Sequence, residues 1–205
     1  MDSTTTLVFQ LAVLLMSVVI HEFAHGWAAF YLGDPTAKYY GRLTLNPIKH
    51  LDPFGSFIVP VFLVLFQSPV VFGWAKPVPF NPHNLSDQKY GPAKVAVAGP
   101  LANLAIALVF GLLLRFLPPA FLSSTGLGDI FSVIALLNLL LAVFNLMPVP
   151  PLDGSKLLFA FLPASMDKIR VALERYSMVI LIFFIFFAFQ WIIPLVFGLF
   201  NLIVG

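Results

Sequence analysis

The sequence contains no cysteine, which excludes disulfide staples and thiolate metal sites together. Any transition metal held here must use histidine, aspartate or glutamate. Charge is scarce too: 10% of the 205 residues are Asp, Glu, Lys or Arg, against about 25% in a soluble domain. With 60% hydrophobic residues and a mean hydropathy of +0.98, the chain cannot cover its apolar surface with charge, and it belongs in a lipid bilayer. The basic residues are scattered without interleaved aromatics and the net charge is only +2, so a nucleic-acid partner has no support. No basic stretch precedes the first apolar run, and that run outlasts a cleavable signal. There is no hydrophilic linker to a second domain and no internal repeat. The size reading is one membrane-embedded domain over 1–205.

A spanning helix needs about 20 apolar residues. Three runs supply them, at about 7–32, 93–117 and 127–147. Gly33-Asp34-Pro35 stops the first, Pro118-Pro119 the second, and Pro148-Val149-Pro150-Pro151 the third. A short segment at 155–161 follows. The block 171–204 is long enough for a span plus a shorter helix after Gln190 and Pro194. Residues 54–74 are apolar but broken by Gly55, Pro60, Pro69 and Gly73, which predicts a re-entrant dip. Residues 39–45 and the proline-rich 73–80 suit short strands or a hairpin. The expected fold class is an all-α polytopic membrane protein with five to six transmembrane helices, a re-entrant segment and short β-strands on the cytoplasmic side.

Basic residues favour the cytoplasmic side of short loops. Ten of the eleven fall on one side, with Arg115 the exception, if 33–92 and 150–170 are both cytoplasmic. That parity requires 54–74 to dip and return.

Inside the first span stands His21-Glu22-Phe23-Ala24-His25. Ionisable residues within a span are costly and point to function. Two histidines four apart share one helix face, about 6 Å apart along the axis, and can converge on one zinc. Glu22, beside the first ligand, is placed to act as general base. The bland alternative is a pair of satisfied buried histidines. A catalytic zinc takes three protein ligands. His50, His83, Asp52, Asp87, Asp129, Asp153 and Asp167 are the available third donors. Asp153 closes a span at matching depth, if the first and third spans run in the same direction. From spacing alone it serves equally well as the N-cap of the 155–161 segment.

The pair of His21-Glu22-Phe23-Ala24-His25 and Asn145-Leu146-Met147-Pro148-Val149-Pro150-Pro151-Leu152-Asp153-Gly154 resembles the signature of site-2 proteases, the intramembrane zinc metalloproteases. Gly99-Pro100-Leu101-Ala102-Asn103 and the stretch 73–80 match further family elements. The resemblance covers about 7–160 as catalytic core and leaves 165–205 as accessory C-terminal helices. It implies one zinc per chain on His21, His25 and Asp153, with Glu22 as catalytic base. It also implies substrate-backbone contact by Asn145, with a weaker claim for Asn103. No insert suits a PDZ domain and no nucleotide-sensing domain follows, so the likeness is to the minimal form. The implied partners are the lipid bilayer and a transmembrane protein substrate, unwound locally, such as an anti-sigma-factor-like regulator. The implied location is a multi-pass protein of the cell membrane, if bacterial, with its site toward the cytoplasm.

An intramembrane metal transporter and an inactive zinc-binding scaffold are the rival readings. Asn103, Asn138 and Asn145 also suit interhelical hydrogen bonding. His50 and His83 read as surface or interfacial, the aromatic cluster at 183–189 as lipid-facing or packing surface, and Trp27, Trp74 and Trp191 as interface anchors.

Overall fold

The computed structural model describes residues 3–67 and 73–205. Its first helix, α1 (Ser3–Tyr31), ends where Gly33 adopts φ +104°, a conformation open to glycine. There Gly33 N–H donates to Phe30 O and Asp34 N–H to Ala29 O, so the last turn is capped. Short pieces follow: α2 (Thr36–Tyr39), a 3₁₀ turn at Pro47–His50, a π-turn at Phe54–Ile58 and α3 (Val59–Leu65). The second long helix, α4 (Gly91–Phe116), begins at Pro92 and keeps its course through Pro100. A proline within a spanning helix is tolerated where neighbours re-satisfy the backbone. Helices α5 (Pro119–Thr125) and α6 (Leu127–Leu146) are joined through Gly126 at φ +70°. The chain ends in α7 (Asp153–Phe161), α8 (Asp167–Arg175), α9 (Ser177–Phe187) and α10 (Phe189–Val204).

Helix α4 lies between α1 and α6 and packs on both. Around Ala107, Leu139 and Val143 of α4 and α6, Ile192 and Val196 of α10 complete the main apolar core. Gly111 lets α10 approach α4, since a Cβ there would meet Ile203 Cγ2 at 2.5 Å. The outer faces are apolar and bare: Leu11 is 55% exposed, Phe116 76% and Phe183 63%. Such surface is what lipid covers.

Among the described residues, three helices are long and apolar enough to cross a membrane, four if α9 and α10, bent by 65°, make one broken span. This corrects the expected five to six. The 171–204 block yields that single bent pair, and α3 is too short to span. No strand forms among the described residues, which corrects the expected hairpin. Residues 73–80 carry no regular secondary structure, and Pro77 and Pro79 lack the N–H groups that a ladder needs. What remains is isolated bonds: Trp74 N–H to Gly55 O at 3.1 Å and Lys76 N–H to His50 O at 2.8 Å. The first of these joins the two ends of the apolar excursion that starts at Phe54, so the chain goes out and returns to one place. Pro69, one of the predicted break points, lies outside the described residues.

Candidate active site

The site forms where the C-terminal half of α1, the N-terminal half of α4 and the α6–α7 corner meet. Along α1, Ser17, His21 and His25 stand four residues apart and share a face. Along α4, Val95, Gly99 and Asn103 do the same. The helices run antiparallel, so Ser17 and His21 meet Asn103 while His25 meets Val95. His21 Nδ1–H donates to Asn103 Oδ1 at 2.6 Å, and His25 Nδ1–H donates to the Val95 carbonyl at 2.8 Å. Both rings therefore turn Nε2 inward.

Across from them, Asp153 Oδ2 lies 3.0 Å from His21 Nε2 and 3.2 Å from His25 Nε2. Asp153 is the first residue of α7, Leu152 is the N-cap, and no side-chain cap bond forms. The carboxylate faces the two histidines. Gly154 allows this corner, because a Cβ there would run into the Leu146 and Met147 carbonyl groups. The contact also places the C-terminal ends of α1 and α6 on the same side of the molecule, so the two helices run parallel, as the parity argument required.

Three donors at about 2.0–2.2 Å from one tetrahedral zinc stand about 3.3 Å apart. The observed 3.0 and 3.2 Å spacings fit that edge. Protonated Nδ1 atoms with oxygen partners leave each Nε2 a lone pair, the usual arrangement of metal-ligating histidine. Gly99 keeps the space open: a Cβ there would lie 2.5 Å from His25 Nε2 and 2.6 Å from His21 Nε2. The residues present therefore fit zinc. Donor atoms of His21, Glu22 and His25 all lie within 4.8 Å of one another.

Glu22 Oε2 accepts the Val78 N–H at 2.8 Å, which ties the 73–80 segment to the site. His21, Glu22 and Asn145 line a cavity of about 470 Å³, with Trp74 and Ala75 on one side and Met178, Ile182 and Ile185 of α9 on another. The accessory helices thus wall the site. Asn145 Nδ2 donates to Leu141 O at 2.9 Å, leaving its carbonyl uncommitted to that bond. Asn103 is elsewhere: it has no exposed surface and lies behind His21, away from the cavity wall. Its expected substrate contact has no geometric support. His50, expected at the surface, is 1% exposed. Its Nε2–H donates to Thr44 O and its own carbonyl receives Lys76 N–H, so it holds the loop from within.

One organising residue escaped the sequence reading. Asp34, read only as a helix stop, is fully buried and accepts from Thr36 N–H, Thr36 Oγ1–H, Asn81 N–H and Asn84 Nδ2. It clamps the end of α1 to the segment that reaches Glu22. Burial pushes the Asp34 carboxyl up, but the bonds from Thr36, Asn84 and Asn81 outweigh it and hold its pKa below the ordinary value. A carboxylate with a depressed folded pKa stabilises the fold above its unfolded pKa of about 3.9, and that stability is lost as pH falls through the folded value. Asp34→Asn is expected to cost about 1–3 kcal/mol at pH 7, the loss that follows breaking a buried charged hydrogen-bond set. It should also expose residues 73–90 to limited proteolysis at neutral pH. Wild-type protein should show the same cleavage only on strong acidification, and equal resistance of the variant at pH 7 would refute the clamp.

A family model described as Peptidase family M50 matches residues 9–188. The chain is 39% identical over 173 residues to YwhC of Bacillus subtilis, covering 82% of this chain and 75% of that relative. It is 36% identical to Rip2 of Mycolicibacterium smegmatis, over 68% of this chain and 52% of the relative. It is 46% identical to MJ0611 of Methanocaldococcus jannaschii, over 68% of this chain and 63% of the relative. Each of the three is named as a candidate zinc metalloprotease. The chain thus spans between half and two thirds of the length of the latter two. No solved structure matches it. A match that begins within α1, ahead of His21 and His25, and runs through α9 leaves one conclusion: this membrane chain belongs to peptidase family M50, the site-2 family of zinc metalloproteases.

Proposed function

We propose that the protein is an intramembrane endopeptidase that hydrolyses peptide bonds within or near transmembrane segments of other membrane proteins. The observation that carries this reading is the convergence of two imidazole Nε2 atoms and one carboxylate oxygen between apolar helices, with His21 and the neighbouring Glu22 on the wall of a cavity.

His21, His25 and Asp153 hold one zinc. When bound, zinc supplies Lewis acidity to the carbonyl under attack and to the attacking water at neutral pH. Glu22 takes the proton from that water and hands it to the leaving amine. Its Oε2 is occupied by Val78 N–H, which leaves Oε1 for the proton. Asn145, its amide nitrogen held by Leu141 O, offers its carbonyl oxygen to a backbone N–H of the substrate. A helical substrate has no free backbone groups, so it must unwind locally before it can be held or cut. The 73–80 segment beside the cavity suits an unwound strand as neighbour. Ten of the eleven basic residues fall in or next to 33–92 and 150–175, the stretches that flank the site, and this charge bias supports a site toward the cytoplasm. An anti-sigma-factor-like regulator with a single span fits as substrate class.

Two measurements test this. Detergent-purified protein is expected to hold near one zinc per chain, with His25→Ala and Asp153→Ala both deficient. Full zinc in Asp153→Ala would remove the third ligand. In liposomes, a single-span substrate with a helix-weakening Gly-Pro pair should be cut inside the span, as mapped by mass spectrometry. Cuts confined to soluble loops would overturn the intramembrane reading.

A further inference from the structure

We infer that Asn103 is a positioning residue for the first metal ligand. With Ser17 and Asn138 it forms a one-way hydrogen-bond network that holds the His21 ring with Nδ1 protonated and Nε2 facing the metal. The inference rests on the reading of His21 as a zinc ligand.

The polarity of the network is decided at its ends. Asn138 Nδ2 donates to Ile134 O and to Ser17 Oγ, each at 2.9 Å. A backbone carbonyl only accepts, so this amide must point its nitrogen toward Ile134 and its oxygen the other way. That oxygen accepts from Asn103 Nδ2 at 2.8 Å, and the same nitrogen donates to a second backbone carbonyl, Ser17 O, at 3.2 Å. Both donors of Asn103 are thereby used, and Oδ1 is left facing His21 Nδ1 at 2.6 Å. Flipping either amide would set a donor against a donor or an acceptor against a carbonyl.

Nothing outside the network can substitute. Asn103 and Asn138 have no exposed surface and Ser17 has 4%. A buried polar group without a partner costs about 1–3 kcal/mol, so the set is kept whole or broken at several points. It joins α1, α4 and α6, the helices that carry the site, and the ring it ends on is one of the two that face Asp153. Ordinary interhelical bonding would not require the terminal donor to be a histidine nitrogen.

The test is zinc affinity by chelator competition in detergent, together with the cobalt-substituted absorption spectrum, for wild type and Asn103→Leu. Leucine is near in size and removes the acceptor without adding charge. Zinc should bind about 10–100-fold more weakly, the usual cost of losing an outer-shell partner. The cobalt bands should shift, while helicity of the metal-free protein changes little and its melting temperature falls, since the buried partners of Asn103 lose their bonds. Affinity within threefold of wild type with an unchanged spectrum would overturn the inference and leave the metal site standing. A wild type that binds no zinc would instead sink the proposed function. If Asn103→Leu does not fold, ¹⁵N-histidine spectra of the zinc-loaded wild type decide. Metal on His21 Nε2, with a slowly exchanging proton on Nδ1, is expected; metal on Nδ1 would refute the assignment.

Discussion

Glu22→Gln is expected to lower peptide hydrolysis about 10²–10⁴-fold while zinc content and melting temperature stay at wild-type values. The size of the effect follows from the loss of a base that must accept and return a proton in each turnover. Two roles compete for this residue, because Glu22 also anchors Val78 N–H at 2.8 Å. Glutamine keeps an oxygen that can accept this bond and loses only the proton chemistry. If Glu22 serves merely as a tether, Glu22→Gln remains active and Glu22→Ala, which lacks the acceptor, does not. If it is the base, both are inactive, and only the alanine variant loosens the 73–80 segment. Single-turnover cleavage of a quenched transmembrane peptide in micelles, beside limited proteolysis of the enzyme, separates the cases.

The second large effect is expected from a residue that binds nothing. Gly99→Ala places a methyl group 2.5 Å from His25 Nε2 and 2.6 Å from His21 Nε2, where the metal belongs. The rings cannot withdraw, since their Nδ1 atoms are held by Val95 and Asn103, one turn to either side of Gly99 on the same helix. Zinc affinity should drop by at least about 10–100-fold, with activity lost in proportion. Helix content should be unchanged, because alanine favours helix over glycine. Gly198→Ala, which meets nothing within 4 Å, is the matched control and should retain its zinc. A Gly99→Ala protein with wild-type stoichiometry and affinity would mean that the two histidines do not converge here.

The long helices were legible because a bilayer imposes one strong rule on composition. Runs expected at 7–32, 93–117 and 127–147 emerge as Ser3–Tyr31, Gly91–Phe116 and Leu127–Leu146, with ends set by Gly33, Pro92, Pro118 and Gly126. The pairing of His21 with His25 was equally plain, since a four-residue spacing on a helix fixes one face. The short elements were not legible. Local β preference at 39–45 and 73–80 found no ladder to join, because Pro77 and Pro79 remove donors and the N–H groups of Trp74, Lys76 and Val78 go to three separate acceptors. The block 171–204 read as a span plus a shorter helix; α9 and α10 break at Ala188 and bend by 65°, and α10 packs on α4 and α6. Asp34 read as a stop signal, and two of its three partner residues, Asn81 and Asn84, lie beyond local sequence.

The sequence by itself determined that this is a cysteine-free membrane protein, that any metal must sit on histidine and carboxylate, and which two imidazoles share a face. Each of these follows from composition or from helical periodicity, which act over a turn or two of chain. Tertiary structure decided which carboxylate meets the two imidazoles, since Asp153 reaches His21 only through the antiparallel return of α4 and the parallel run of α6. It also separated two asparagines that look alike on paper. Asn145 ends up on the cavity wall and Asn103 behind a ligand, because helix packing, and not residue type, decides which face of a span is turned toward the site.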